Sequence, residues 1–186
     1  MDALVPAFVA ALLIQAGDRA AWLAAILADR YRAPLRVAFA ALLAHGVGNA
    51  IACAGGMLVA PLLTPNAKQL LLALALGFAA LGSLGRLKSP DRLEGWRLGG
   101  AATAFIGIFI LALGDSTQFL TFAISARSGW LAAVGATFGA FAVALTAALL
   151  GEQAWRRLPL AVVRIGFGLL ALGAAAISAA SALRLI

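Results

Sequence analysis

Long apolar runs, each interrupted or closed by a few polar residues, dominate the chain. The first run extends from about Leu4 to Ala28 and stops at Asp29-Arg30-Tyr31-Arg32. A second starts near Pro34 and ends by Pro61; after the turn Thr64-Pro65-Asn66, a third covers about Lys68 to Leu84. The longest polar stretch, Arg86 to Arg97, separates these from three more runs: about Leu98 to Ala126, Trp130 to Gly151 and Leu158 to Leu183. A helix crossing the hydrocarbon core needs roughly 17–25 mainly apolar residues. The pattern predicts six such helices with short loops.

Composition supports a membrane chain. Of 186 residues 64% are hydrophobic and 11% charged, with mean hydropathy +1.03. That is too little charge to cover a soluble domain. The net charge of +7 does not point to nucleic acid, because the basic residues sit in short loops rather than on one soluble face. The lone cysteine, Cys53, cannot form an intrachain disulfide. Met1-Asp2-Ala3 lacks a basic n-region, so the first run is read as a retained helix. One histidine, no partner for a catalytic cysteine and no phosphate loop leave no enzyme constellation.

Loop charges orient the spans. Six spans put Lys68, Arg127 and Arg184 on the side of the termini. Ten basic residues fall on the other side, in the segments from Arg30 to Arg36, Arg86 to Arg97 and Arg156 to Arg164. Lys and Arg are retained in the cytoplasm, which predicts both termini outside and the central loop inside, in a bacterial inner (plasma) membrane.

The halves repeat. Gly17-Asp18-Arg19 lies in the first span and Gly114-Asp115-Ser116-Thr117-Gln118 in the fourth. Aligning the two aspartates also places Arg30 on Arg127. Three spans per half reverse the orientation of the second copy. The expected fold is therefore all-α integral membrane: six transmembrane helices as two inverted three-helix repeats. Residues 1–186 form one membrane domain, with repeats over 1–85 and 98–186 and a cytoplasmic linker over 86–97.

An intramembrane carboxylate costs about 2.5–3.5 kcal/mol on insertion scales and by default marks a functional site. Each glycine before an aspartate permits close approach or a local helix break, and broken helices hold cations in inverted-repeat transporters. Carboxylate, amide and hydroxyl oxygens suit Mg, Ca or Mn. Asp18 and Asp115 are the primary candidates, with Gln15, Thr117 and Gln118 completing the shell. The plainer alternative pairs Asp18 with its neighbour Arg19, which also has the option of snorkelling to the cytoplasmic side.

His45 and Asn49 share one face of the second span and are candidates for the pathway or a proton link, as are Arg19 and Ser116. A histidine bonded to a neighbouring helix explains His45 equally well. Thr121 and Ser125 either extend a polar track or bond their own backbone. Gly46-x-Gly48 and Gly135-x-x-x-Gly139 read as close helix packing. Trp22, Trp96, Trp130 and Trp155 read as interfacial anchors, and Glu152 as solvated.

The repeated Gly-Asp motif is followed by Ala126-Arg127-Ser128-Gly129, Gly135-Ala136-Thr137-Phe138-Gly139 and Arg157-Leu158-Pro159-Leu160. Together these resemble the calcium:proton antiporter-2 family, the Gdt-type Golgi manganese/calcium exchangers and their bacterial relatives. The likeness covers nearly the whole chain and is strongest from Phe105 to about Gly173. It implies exchange of Mn2+ or Ca2+ for protons, with the acids of the motif Glu-x-Gly-Asp-(Lys/Arg)-(Ser/Thr) as ligands. Here Gln15 and Ala112 stand where the family has glutamate, Ala20 where it has Ser or Thr, and Ser116 where it has a basic residue.

The function expected is a secondary transporter that moves a divalent cation, Mn2+ or Ca2+, in exchange for protons by alternating access. Two alternatives stay open: an exporter of another small solute, and a non-transporting membrane subunit that has lost the ion. No enzymatic cofactor is expected, since the ion is cargo. The implied partners are the lipid bilayer, the divalent cation and protons, with a homodimer as one option and no nucleic acid.

Overall fold

The computed structural model describes residues 3–85 and 88–185. All its regular elements are helices: α1 (Leu4–Gln15), α2 (Arg19–Tyr31), α3 (Pro34–Val59), α4 (Pro65–Leu84), α5 (Gly100–Ala112), α6 (Ser116–Ser128), α7 (Leu131–Arg157) and α8 (Leu160–Ala182). One 3-10 turn, Ala60–Leu62, extends α3. Arg86, named in the loop count, lies outside the described residues.

Four helices are long and apolar enough to cross a membrane: α3 with its 3-10 turn, α4, α7 and α8. The pairs α1–α2 and α5–α6 pass the same test together, bent by 66° and 67° at their breaks. Counting each pair as one span gives six. The first and fourth runs are thus not single rods.

The break has a local cause. Asp18 is extended (φ −92°, ψ 160°) and caps α2 by accepting the N–H of Ala20 at 3.0 Å. Asp115 is extended too (φ −68°, ψ 156°) and caps α6 through the N–H of Ser116 at 2.6 Å. Aspartate is among the best N-cap residues because its carboxylate satisfies an orphan N–H of the first turn. Gly114 (φ +77°) supplies the left-handed turn that ends the preceding helix. The Gly-Asp dipeptide is therefore helix punctuation as well as intramembrane acid.

Other boundaries moved by a few residues. Pro65, read as turn, opens α4 under a Thr64 cap, since proline needs no N–H at the first helical position. Gly151, read as the end of the fifth span, is a kink at φ +74°; the chain resumes as helix to Arg157. The carboxylate of Asp29 restarts it by accepting the N–H of Glu152 at 2.7 Å.

The offset that carries Asp18 onto Asp115 also carries both ends of α2 onto the ends of α6 and the start of α3 onto the start of α7. Packing follows this repeat. The broken pair α1–α2 lies on α7, the broken pair α5–α6 lies on α3, α3 packs on α7, and α4 packs on α8. Approach is close. A Cβ at Gly135 or Gly139 would come within 2.1 or 2.4 Å of the Leu4 or Phe8 carbonyl oxygens of α1. One at Gly56 would come within 2.3 Å of the Phe122 carbonyl oxygen of α6. The small-residue motif at Gly135 is therefore packing, as expected.

The core is built of small side chains. Ala20, Ala24, Ala28, Ala38, Ala41, Ala44, Ala144 and Ala148 are buried around Leu23, Leu27, Val37 and Ile108. The large apolar residues point outward: Leu35, Phe39 and Leu43 on α3, Leu74, Phe78 and Leu81 on α4, Leu169, Leu170 and Ile177 on α8. In water such a surface would aggregate; in lipid, where apolar side chains gain nothing by leaving the tails, it is the expected exterior.

Two minor expectations fail. Trp155 is no interfacial anchor, being 3% exposed among Ala21, Ala25, Val143 and Ala147. Glu152 is not simply solvated: Arg92 Nη2 donates to both its carboxylate oxygens, at 2.5 and 2.6 Å. Arg30 donates to the carbonyls of Leu93 at 2.9 Å and Glu94 at 3.1 Å. The central loop is thereby tied to the end of α2 and to the kink of α7.

Candidate functional site

The two helix breaks meet. Gly17, Asp18 and Arg19 from the first, and Asp115 and Ser116 from the second, line one cavity of about 340 Å³. Gln15, in the last turn of α1, reaches across: its Nε2 donates to Asp115 Oδ2 and to Thr117 Oγ1, both at 3.1 Å. Ser116 donates to Asp115 Oδ1 through its N–H and, at 3.2 Å, its hydroxyl. Asp115 thus accepts from both halves of the chain, while Asp18 is held by its own helix.

Both aspartates are half-buried, and Gln15 and Thr117 are buried. Among the described residues Gln15 Oε1 has no hydrogen-bond partner. A buried polar atom left so beside a cavity is costly unless water or a ligand satisfies it. Arg19 lines the cavity but is exposed, and no Asp18–Arg19 ion pair occurs among the described residues. The alternative that the first aspartate merely pairs with its neighbour has no geometric support.

Gln118 is placed elsewhere. Its amide lies over α3, where a Cβ on Gly48 would sit 2.0 Å from Nε2, and its Oε1 is 3.4 Å from the Gly114 N–H. It does not line the cavity that holds the aspartates. His45 and Asn49 are buried in α3 and also stand away from that cavity. Asn49 Nδ2 donates to Thr137 Oγ1 of α7 at 3.2 Å, and its Oδ1 is 3.4 Å from Thr121 Oγ1 of α6. Thr121 also donates to the Thr117 carbonyl at 2.8 Å, so its hydroxyl does bond its own helix, yet it continues a polar chain from Gln15 through Thr117 to Asn49 and Thr137. His45 makes no hydrogen bond to a neighbouring helix among the described residues, and Ser125 Oγ is buried without a partner.

The reading of the residues missed part of the wall. Lys88 of the central loop, Gly82 and Ser83 of α4, and Arg164 of α8 line the same cavity. Arg164 is not the loop cation that its place near Arg156 and Arg157 suggests. It sits inside α8, half-buried, with Nη2 donating to the Gly82 carbonyl at 2.8 Å. An arginine inside the last apolar run was the available signal; that α8 would bring it against the first Gly-Asp was not visible in the spacing. Among the described residues no three His, Cys, Asp or Glu side chains gather as a metal cage. The cavity offers two carboxylates and the Ser83 and Ser116 hydroxyls, while Gln15 and Thr117 stand behind Asp115, outside the lining.

Residues 3–90 and 100–185 match the family described as "Divalent cation/proton antiporter GDT1". The chain belongs to the GDT1 family. The family expected from the Gly-Asp repeats is thereby borne out, and the internal gap between the two matched segments, residues 91–99, falls in the central loop. A relative from Vibrio cholerae serotype O1, named "Putative manganese exporter", is 29% identical over 172 residues, covering 88% of this chain and 84% of its own. No solved structure matches. This GDT1 chain is a multi-pass membrane protein and a divalent-cation transporter, not a member of an enzyme family.

Proposed function

We propose that the protein is a secondary transporter that moves Mn2+ or Ca2+ in exchange for protons by alternating access, with Asp18 and Asp115 as the cation's carboxylate ligands. One observation carries the reading: a helix break in each half brings Asp18 and Asp115 to one cavity. Two carboxylates balance one divalent ion, and the same two groups accept protons in its absence. Gln15 Oε1 and the Thr117 hydroxyl are the neutral oxygens beside them. Gln118, turned onto Gly48, is not a ligand in this conformation.

The repeated order of a bent pair followed by two long helices supports two inverted three-helix repeats. The loop charges favour a cytoplasmic central loop in a bacterial inner membrane, and Lys88 of that loop in the cavity wall supports a mouth on the cytoplasmic side. The opposite half is closed by α1 against Gly135 and Gly139 and by α6 against Gly56. The conformation then faces inward, and release outside requires α1 to leave α7 and α6 to leave α3. The relative's name favours manganese as the cargo.

Cation flux into proteoliposomes under an imposed proton gradient tests this. Asp18→Asn and Asp115→Asn should each abolish Mn2+ flux; if both transport like the wild type, the two aspartates are not the site.

A further inference from the structure

We propose that Arg164 is a tethered counter-cation of the Asp18–Asp115 site, compensating the carboxylates in the interval between loss of their protons and arrival of the divalent ion, and weakening the hold on that ion once it is bound. The inference rests on the two aspartates being the cation ligands.

Arg164 is fixed by its surroundings. Its Cγ and Cδ occupy the space over Gly17, where a Cβ would lie 2.1 and 2.2 Å from them. The stem therefore passes over the backbone of the residue next to Asp18. Nη2 is anchored on the Gly82 carbonyl, in the last turn of α4, where carbonyls lack helical N–H partners. A guanidinium has five donor hydrogens and never loses its charge in a protein. With that one nitrogen anchored, the side chain lines the same cavity as both aspartates. Among the described residues no carboxylate pairs with it within ion-pair distance.

Charge balance gives this placement a function. Two carboxylates that have released their protons and not yet met the cation are costly inside a membrane without compensation. A fixed positive charge on the wall of the same cavity lowers that cost without itself being transported. When the cation enters, the same charge repels it, so the loaded state is held less tightly and release is easier. Arg19 and Lys88 line the cavity as well, but both are exposed and long enough to turn their charges into water. Arg164 is half-buried and clamped between α4 and the first helix break.

The test is calorimetric titration of the purified full chain with Mn2+ alone, alongside proteoliposome flux. Arg164→Met keeps the stem over Gly17 and removes the charge; Arg164→Lys keeps the charge; Arg164→Gln is a second neutral variant in case Met misfolds. The neutral variants should bind Mn2+ about tenfold more tightly and exchange it more slowly, because a like charge near a poorly screened site acts through a low dielectric. The Lys variant should stay within roughly twofold of the wild type. Wild-type affinity in the neutral variants, with binding lost in Asp18→Asn and Asp115→Asn, overturns the counter-cation and leaves the site standing. Undiminished Mn2+ affinity in the aspartate variants overturns the site reading and this inference with it.

Discussion

Gln15 and Asp115, one hundred residues apart in the chain, are joined by a 3.1 Å hydrogen bond in which the amide donates to the carboxylate. The same amide nitrogen holds Thr117. Gln15 is therefore the seam between the two helix breaks. Gln15→Leu should cost about 1–3 kcal/mol, because Asp115 Oδ2 and Thr117 lose their buried donor. Thermal unfolding in detergent reads the loss. Gln15→Glu should act differently: a third carboxylate beside Asp115 raises Mn2+ affinity while removing the donated bond, so titration should show tighter binding to a less stable protein.

The two motif glycines should respond to substitution in unlike ways. Gly114→Ala meets no neighbouring atom but is forced to keep φ +77°, a strain of roughly 1–2 kcal/mol. Its effect should be a lowered melting temperature with cation affinity nearly unchanged. Gly17→Ala carries no such strain and instead collides with the Arg164 stem. It should displace Arg164 and change Mn2+ affinity in the direction of Arg164→Met. Parallel melting curves and titrations on the two variants separate strain from displacement.

Closure of the half opposite the cavity depends on contacts to carbonyl oxygens, which have no flexible end to move aside. Gly135→Ala and Gly139→Ala should each cost about 1–3 kcal/mol by overpacking against α1. In the proposed transport cycle α1 leaves α7 and relieves this strain, so both variants should also make that interface more accessible. A cysteine introduced at Ala136, buried in the same contact, should react faster with a thiol reagent in either background.

The kink of α7 offers a fourth check, away from the site. Asp29→Ala removes the acceptor of the Glu152 N–H and should cost about 1 kcal/mol, as other lost helix caps do. Gly151→Ala should cost more, since it combines left-handed strain with a Cβ placed 2.5 Å from Asp29 Oδ1. Thermal unfolding of the two variants should rank them in that order.

Much of this arrangement is legible in the sequence because membrane helices announce themselves by length and apolarity. The six runs, the polar loop between Arg86 and Arg97, and the matched Gly-Asp pairs are all local features. The break at each aspartate was readable as one option, since glycine and aspartate are both helix punctuation. What could not be read was which side chains cross between elements. Gln15 looked like a ligand on its own helix, yet it also reaches Asp115 of the other half. Arg164 looked like a loop cation because its distance from the cavity depends on how α8 packs. Gln118 sits beside Asp115 in sequence, but helix rotation carries it to Gly48. Trp155 failed as an anchor because the helical turn after the Gly151 kink directs it into the core.

The alanine-rich core around α2, α3, α5 and α7 has a mechanical meaning. Alanine has no side-chain torsion to reset, and a surface of methyl groups carries few knobs that must leave one hole before entering the next. Helices that meet through Ala24, Ala41, Ala44 and Ala148 can slide past one another without repacking bulky side chains. The interior of this protein is shaped as a bearing rather than a lock.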